Sequence, residues 1–578
     1  GALGNFSADL TINGGSLNKN LDGSDEVVIE GDLILTGHSL AIQAETITVN
    51  SNVTVSTSYL SGQAGDIAFD GYHININSGA KLLAQGTSVD TSGDISLRAV
   101  DNNALLTPFV SVDLTDVDVT IAENAEVRGR DVTIFATADS RKFLTAEDWY
   151  VNYPANILGS LIEGLTKIGA GVAVARADSA IDIQAGTVIT SRNFTAYASS
   201  LVYVSAAPIT FMIGPAVGIA ITDASVSVAG SLTATGDATI RATTDHTIDV
   251  VSDTTGLKGI AGSIAVSVID SDTNAIVTDD AVLTVGGDLY VQADTADRTR
   301  VMARSTAGED GSVAVAIAVT VEVGETNAFL DGEATVGGDV HVNALMAQDS
   351  VDVKKLFVIP STGIGTGASA GVGDNSKGDY LDDAKQAAIG KITTPMKNWV
   401  VKKWNEFRNK KADTSESQEP SYDVAASIGV VVDQNRTTAR IGDGNADGDG
   451  KNGEVLAGGD VTVYSSVTNS PYVSASASSK NNPKSKQPEG SNKFSGAFAV
   501  SVGIYENDAR AFIGAGAVVD AASALKVQAE TLNDYAWSGW SNIVEPFLEE
   551  PTYTTENSAA DVTVAAGEIV EVCSNHTG

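Results

Sequence analysis

The sequence predicts an all-β protein, a parallel β-solenoid with short helical insertions along one edge. Three observations carry this prediction. Val, Ala, Thr, Ser, Asp and Gly dominate the 578 residues, a composition typical of strands and turns. Apolar residues alternate with a period of two, as in strands. A unit of about 50 residues recurs along the chain, which is typical of a solenoid.

The repeat is clearest where "GDATIRATTDHTIDV", "GDLYVQADTADRTRV" and "GDVHVNALMAQDSVDV" align. Their landmark residues Asp237, Asp288 and Asp339 are 51 residues apart. Further copies stand at Asp131 and Asp460, with a degenerate copy near Leu525, "ASALKVQAETL". No Pro- or Ser-rich linker separates the units, so they are expected to bury their apolar faces by stacking, with two or so coils per unit. The alternative is a string of small β-sandwiches.

Each unit contains an apolar run such as "VAVAIAVTVEV". We expect Val313, Val315, Ile317, Val319 and Val321 to form the buried face, because large aliphatic side chains at every second position mark a core-facing strand. The other face would carry Ala314, Ala316, Ala318 and Thr320. Such a flat face is expected either to be covered or to serve as a contact surface.

Residues 1–115 predict a plainer β-helix segment, because strands and turns alternate there at shorter spacing. The 51-residue repeats occupy 116–534, and 535–578 form a Trp-bearing C-terminal segment. The stretch "INSGAKLLAQG…GDISLRA" resembles the coils of filamentous-haemagglutinin-type proteins, and the repeat unit is similar to those of giant repetitive bacterial surface adhesins. This resemblance implies a right-handed parallel β-helix, export, and a role in attachment or surface architecture. It transfers no functional residue to a position in this chain.

Three insertions break the strand pattern, at 143–168, at 375–420 and, as a polar version, at 479–493. They share one slot in the repeat, so we expect them along one edge of the solenoid. All the tryptophans lie in such stretches or in the C-terminal segment, where they are possible partner contacts: Trp149, Trp399, Trp404, Trp537 and Trp540. The basic helix predicted from 395 to 411 either binds a partner or membrane surface, or packs on the Ala-rich sheet.

Composition narrows the partners. A formal net charge of −38 argues against nucleic acid, whose phosphates require clustered cations. A single cysteine, Cys573, excludes an internal disulfide. No apolar run approaches the roughly 20 residues of a membrane helix, so membrane contact is not expected. The chain begins at Gly1 without a signal peptide, and we interpret it as a processed piece of a protein.

No residue pattern predicts catalysis. The histidines, His38, His73, His246, His341 and His576, are scattered, and none has metal or triad spacing. We expect such isolated histidines to be hydrogen-bonded at the surface. Parallel β-helices also include polysaccharide lyases and hydrolases, so a glycan-degrading enzyme remains the competing class. Such an enzyme would need acidic, basic or cation-binding side chains clustered on adjacent coils.

The segment "DGNADGDGKNGE", residues 443–454, follows the calcium-loop pattern D-x-[DN]-x-[DN]-G-x5-E. Asp443, Asn445, Asp447, Asp449 and Glu454 would supply oxygen ligands, and Gly448 the sharp turn. Lys451 and Gly450 depart from the pattern. The sequence therefore predicts a calcium site on a β scaffold, with a solvated Asp- and Gly-rich turn as the alternative.

Together these features predict a non-catalytic structural or adhesive module of a large exported surface protein, located outside the cell. Its expected partners are neighbouring copies, other surface proteins, glycans, or a host or prey cell surface. A filament-forming subunit whose solenoid ends stack is a further alternative.

Overall fold

The computed structural model describes residues 8–14, 25–101, 110–140, 171–206, 213–256, 260–307, 313–348, 365–372, 422–442, 453–469, 472–479, 494–533, 553–554 and 570–571. The chain divides into two compact units, Gly1–Asp534 and Tyr535–Gly578. The second contains two short parallel strands, β34 (Tyr553–Thr554) and β35 (Val570–Glu571). The first is a parallel β-solenoid, which confirms the predicted fold class.

The solenoid has three sheets that the chain visits in strict rotation, and every strand pair within them is parallel. Strands are numbered in chain order. Sheet 1 contains β1 (Leu10–Asn13), β4 (Leu40–Gln43), β7 (Ile67–Gly71), β10 (Ile95–Asp101), β13 (Asp131–Ser140), β16 (Asn193–Ala206), β19 (Ala238–Gly256), β22 (Leu289–Ala307), β25 (Val340–Gln348), β26 (Gly365–Val372), β29 (Val461–Asn469), β30 (Tyr472–Ser479) and β33 (Leu525–Asn533).

The other two sheets have ten strands each. Sheet 2 contains β2 (Glu26–Ile29), β5 (Thr46–Val49), β8 (His73–Ile76), β11 (Val110–Ile121), β14 (Gly171–Ile183), β17 (Ile213–Val228), β20 (Ile260–Val277), β23 (Val313–Leu330), β27 (Tyr422–Ile441) and β31 (Phe494–Ile513). Sheet 3 contains β3 (Leu33–Ile34), β6 (Thr54–Ser56), β9 (Lys81–Leu83), β12 (Glu126–Arg128), β15 (Val188–Ser191), β18 (Ser231–Ala234), β21 (Val282–Val285), β24 (Glu333–Val336), β28 (Glu454–Ala457) and β32 (Val518–Ala521). A 3₁₀ turn spans Val89–Thr91.

Each 51-residue unit makes one coil. In β19 and β22 the nineteen residues of one strand pair with the residues 51 positions later, from Ala238 with Leu289 to Gly256 with Ala307. The expectation of two or so coils per unit was wrong because these strands are much longer than ordinary ones. A whole unit is needed to go once around the three sheets.

The coils widen along the chain. Strands β1 to β9 have two to five residues. Strand β11 has twelve, and only its last four, Asp118–Ile121, pair with β8. The segment predicted as plain β-helix therefore consists of narrow coils, and the wide coils begin at its end.

The face assignment of the apolar strands was wrong. In β23 the inward-facing, buried side chains are those of Ala314, Ala316, Ala318 and Thr320. The alternate residues, Val313, Val315, Ile317, Val319 and Val321, are partly exposed on the outside. The interior between sheets 1 and 2 is too narrow for large side chains from both. A methyl group added at inward-facing Gly218 of sheet 2 would lie 2.5 Å from Val250 of sheet 1. Sheet 1 fills this space with Val and Ile, so sheet 2 contributes Ala, Gly, Ser and Thr.

The predicted insertions lie almost entirely outside the described residues, and so does the helix predicted from 395 to 411. The strands that flank them are described. Residues 141–170 fall between β13 and β14, 373–421 between β26 and β27, and 480–493 between β30 and β31. In each case the chain leaves from sheet 1 and returns in sheet 2.

Candidate functional site: the outer face of sheet 2

The outer face of sheet 2 carries continuous apolar ladders. Parallel in-register pairing places the same repeat position of successive coils side by side, about 4.8 Å apart. One ladder runs through Val172, Val217, Val266, Val319, Val430 and Val502. Its neighbour runs through Val174, Ile219, Val268, Val321, Val432 and Ile504. Together these two ladders, called here the apolar ladders, form one contiguous aliphatic surface.

The apolar ladders are most closely packed at β27. Ile428, Val430 and Val432 are 4–9% exposed and, together with the inward-facing Val431, form an aliphatic cluster separate from the main core. The side chains packed against this cluster from neighbouring coils are Ile317, Val319, Val321, Val502 and Tyr505. The outer face thus has its own hydrophobic packing and is not a scatter of single exposed residues.

The second half of the same strands carries an acidic ladder. Asp116, Asp178, Asp223, Asp272 and Glu325 are register partners on successive coils, followed by Arg436 and Asp508. Burial between coils, and then the charges of Asp178 and Asp272, raise the pKa of Asp223 to about 6. Burial also raises the pKa of Asp178, against the lowering effect of its partner Arg176. Like charges at this spacing repel one another.

The outer face of sheet 1 is different, because its charges are paired. Arg241 contacts Asp294 at 2.7 Å, Arg298 contacts Asp245 at 2.5 Å, and Arg300 forms a bidentate pair with Asp249. Between these pairs lie threonines such as Thr239 and Thr247. Charges already paired in this way have less to gain from a partner than an aliphatic surface has. Sheet 2 is therefore the better candidate for a contact face.

The predicted calcium ligands Asp443, Asn445, Asp447 and Asp449 lie outside the described residues. The fifth, Glu454, begins β28 in sheet 3, with its side chain exposed. Residues 443–452 fall in the chain between β27 of sheet 2 and β28 of sheet 3, a connection for which the preceding coil uses only Asp331 and Gly332. The two ends of the loop meet, since a methyl group added at Gly453 would lie 3.1 Å from Gly442 Cα. Both glycines have a positive φ, 76° and 79°, which favours glycine at each end.

The tryptophans proposed as partner contacts, Trp149, Trp399, Trp404, Trp537 and Trp540, all lie outside the described residues. Their role stays a prediction. The basic helix cannot cover the Ala-rich face of the sheet, as the alternative interpretation required, because the alanines line the interior of the solenoid.

One histidine departs from the surface role expected of all of them. His246 is fully buried, and its register partner on the next coil is Asp297. Glu322 approaches the pair from sheet 2. These residues are 51 and 25 positions apart in the chain, so no linear motif could have indicated the cluster. By contrast, His73 does behave as a hydrogen-bonded surface residue, and its bond to Asp118 raises the pKa of the imidazole.

Comparison with known proteins leaves the chain without an assigned family, because no family model, curated protein or solved structure matches it. Among the described residues there is no helix of the length and apolarity needed to cross a bilayer.

Proposed function

We propose that this chain is a non-catalytic structural and adhesive module of a large exported bacterial surface protein, located at the cell surface. The observation that supports this most strongly is the aliphatic outer face of sheet 2. Such a face is costly to leave in water and is typical of surfaces that contact another protein. The resemblance of the repeat sequence to giant surface adhesins points the same way.

The proposed contact is made by the apolar ladders, and the partner is a protein surface, first of all a neighbouring copy or another surface protein. Aliphatic side chains held in rows on a rigid sheet need no reordering to pack against a second flat surface, so little conformational entropy is lost on contact. The acidic ladder beside them keeps the free module soluble and disfavours acidic partners.

A charge placed on the apolar ladders tests the proposal. The double variant Val217→Lys with Val266→Lys puts two ammonium groups on adjacent coils of this face. The control, Thr239→Lys with Thr247→Lys, adds the same charge to the outer face of sheet 1. Self-association is followed by sedimentation velocity, and attachment by counting protein-coated beads held on bacterial cells.

We expect the affinity of self-association or of attachment to fall about tenfold or more in the sheet 2 variant, and tenfold corresponds to about 1.4 kcal/mol. The control should retain the affinity of the parent. Equal behaviour of the two variants would contradict the proposal. Incubation with acidic and neutral polysaccharides addresses the enzyme alternative, because release of products would favour it over a purely adhesive role.

A filament subunit is the second candidate, and one observation favours it. In the last coil of the first unit the core-lining Leu525 and Val527 are 50% and 43% exposed, whereas their partners one coil earlier, Val461 and Val463, are fully buried. A further coil placed on this end would bury them. Fibres that grow with protein concentration in electron micrographs, and that Leu525→Lys abolishes, would support this function. Fibres unchanged by Leu525→Lys would exclude this end as the stacking surface.

A further inference from the structure

A cluster of ionisable side chains lies inside the widest part of the solenoid. His246 on β19 and Asp297 on β22 are register partners on adjacent coils of sheet 1, and Glu322 on β23 faces them from sheet 2. His246 Nε2 is 3.0 Å from Asp297 Oδ1 and 3.9 Å from Glu322 Oε1. One ligand atom from each residue lies within 4.8 Å of the others. All three side chains are buried.

The polar atoms of this cluster are largely without partners. Neither ring nitrogen of His246 and neither carboxylate oxygen of Glu322 forms a hydrogen bond, and Oδ2 of Asp297 has none. The buried polar side chains among the described residues include no lysine or arginine. Burying two carboxylates beside a single imidazole costs several kcal/mol, most of all at Glu322, whose two oxygens accept no hydrogen bond. Something must compensate for them.

We propose that His246, Asp297 and Glu322 bind one divalent transition-metal ion inside the solenoid, with zinc as its first candidate. The metal would join two coils of sheet 1 to one strand of sheet 2. It would therefore act as an internal cross-link between coils.

The chemistry of the ligands selects this class of ion. Zinc binds imidazole nitrogen and carboxylate oxygen, and its tetrahedral bonds of about 2.0 to 2.2 Å separate neighbouring ligand atoms by roughly 3.4 Å. The separations of 3.0 and 3.9 Å lie on either side of that value. Calcium prefers six to eight oxygens and does not favour imidazole. This site is therefore distinct in kind from the loop predicted at 443–454.

The surroundings orient one of the ligands and keep a third carboxylate from binding the metal. Thr299 donates a hydrogen bond of 2.8 Å to Asp297 Oδ1, which orients that carboxylate. Asp433, the register partner of Glu322 on the next coil, accepts hydrogen bonds from Asn435 and Asn469. With both of its oxygens engaged, Asp433 adds negative charge near the site without acting as a ligand.

The rival explanation is a proton in place of the metal. Burial, followed by the charges of Asp297 and Asp433, raises the pKa of Glu322 well above its ordinary value. A protonated Glu322 would reduce the negative charge without any ion. The two explanations predict different responses of the same variants.

Metal content of the native protein decides between them. The full chain is produced in medium supplemented with zinc chloride, so that the metal can enter during folding, and is then dialysed against EDTA to remove ions from the acidic surface. We expect about one zinc per chain by mass spectrometry of the metal. His246→Gln and Glu322→Gln should each reduce this at least about tenfold. The control His341→Gln, whose ring stacks on Tyr290 at the surface with centroids 4.9 Å apart, should retain it. Trace zinc in the parent, or equal zinc in His246→Gln and His341→Gln, would overturn the proposal.

Cobalt substitution provides a measurement that does not depend on the stability of a variant. Protein produced with Co²⁺ in place of Zn²⁺ should show the intense visible absorption of a tetrahedral nitrogen and oxygen site. The weak spectrum of six-coordinate Co²⁺ would indicate surface carboxylates only and would overturn the proposal. Under the proton explanation Glu322 is already neutral, so Glu322→Gln, which has a neutral side chain of the same size, should fold as the parent does. The parent protein made with and without zinc should then melt at the same temperature, and these two results would overturn the metal proposal.

Discussion

The carboxylate of Asp288 accepts a hydrogen bond from the backbone N–H of Asp339, the equivalent residue one coil later, at 2.8 Å. Asp237 does the same for Asp288 at 3.0 Å, Asp339 for Asp460 at 2.8 Å, and Asp460 for Ala524 at 3.0 Å. The repeat landmark is therefore a ladder of side-chain acceptors at the corner between sheets 3 and 1. At this corner the chain changes direction, so the N–H of the next coil would otherwise lack a strand partner.

Removal of one acceptor from this ladder should destabilise the solenoid. Asp288→Ala leaves the N–H of Asp339 without its charged acceptor, and we expect a loss of about 1 to 2 kcal/mol in the free energy of unfolding. Asp288→Asn keeps an oxygen in the same place and should lose less than half as much. Urea unfolding followed by circular dichroism measures both. If the two variants unfold at the same urea concentration as the parent, the ladder does not stabilise the fold.

The glycines that precede Asp288, Asp339 and Asp460 lie against the carboxylate of the preceding landmark, which leaves no room for a side chain. A methyl group added at Gly338 would lie closer than 3.0 Å to the carboxylate of Asp288. Gly338→Ala should therefore destabilise the protein by about 1 to 3 kcal/mol, as overpacking does. In the double variant with Asp288→Ala the clashing carboxylate is gone, so the combined loss should be smaller than the sum of the two single losses. Strict additivity in urea unfolding would show that the two residues do not interact.

The repeat and the fold class could be predicted because they depend on periodicity alone. A spacing of 51 residues and an alternation of apolar residues with a period of two predict stacked strands. The Gly-Asp pairs that end at Asp237, Asp288 and Asp339 mark the corner. What periodicity cannot determine is which face of an all-apolar strand points inward. Both faces of β23 are apolar, and the choice depends on the width of the interior, which the side chains of sheet 1 set.

The buried cluster could not be predicted for a different reason. His246, Asp297 and Glu322 meet because the coil length places them on adjacent strands, and that length follows from the whole coil. If each unit made two coils, different residues would lie opposite one another on adjacent strands. The composition of each strand gave no sign that a polar group would face inward.

The acidic ladder should make stability depend on pH between about 4 and 6. The pKa of Asp223 is raised to about 6 in the folded protein, so the folded state binds this proton more tightly than the unfolded chain does. The associated stability is present below the pKa of the unfolded chain and is lost as pH rises through 6. We therefore expect Asp223→Asn to be more stable than the parent at pH 7.5 and equally stable at pH 4.

The gain should be about 1 kcal/mol or less. The neighbouring coils remove part of the Asp223 carboxyl from water, but the residue as a whole stays exposed, so water screens the repulsion. Urea unfolding of Asp223→Asn and of the parent at several pH values measures it. Asp520→Asn, an exposed carboxylate in the last coil, is the control. A difference between Asp223→Asn and the parent that grows as pH falls would contradict the assigned direction of the shift.

Calcium should stabilise the protein through the loop at 443–454. The pattern Asp443, Asn445, Asp447, Asp449 and Glu454 supplies the oxygen donors that calcium prefers. The ends of the loop, Gly442 and Gly453, are already brought together by β27 and β28. Closure therefore costs the loop little further entropy when it binds the ion.

Calcium at 100 times its dissociation constant would add about 2.7 kcal/mol to stability, which appears as a higher melting temperature in differential scanning fluorimetry. Asp443→Ala with Glu454→Ala should abolish this response. The control is Glu333→Ala, because Glu333 is the register partner of Glu454 one coil earlier and is equally exposed, but lies beside a short corner. A double variant that responds to calcium as fully as Glu333→Ala would show that the ion binds elsewhere, with the acidic ladder from Asp116 to Glu325 as the next place to test.

Since calcium does not favour imidazole, the response should also be the same in His246→Gln as in the parent. The calcium loop and the buried histidine cluster would then be separate sites.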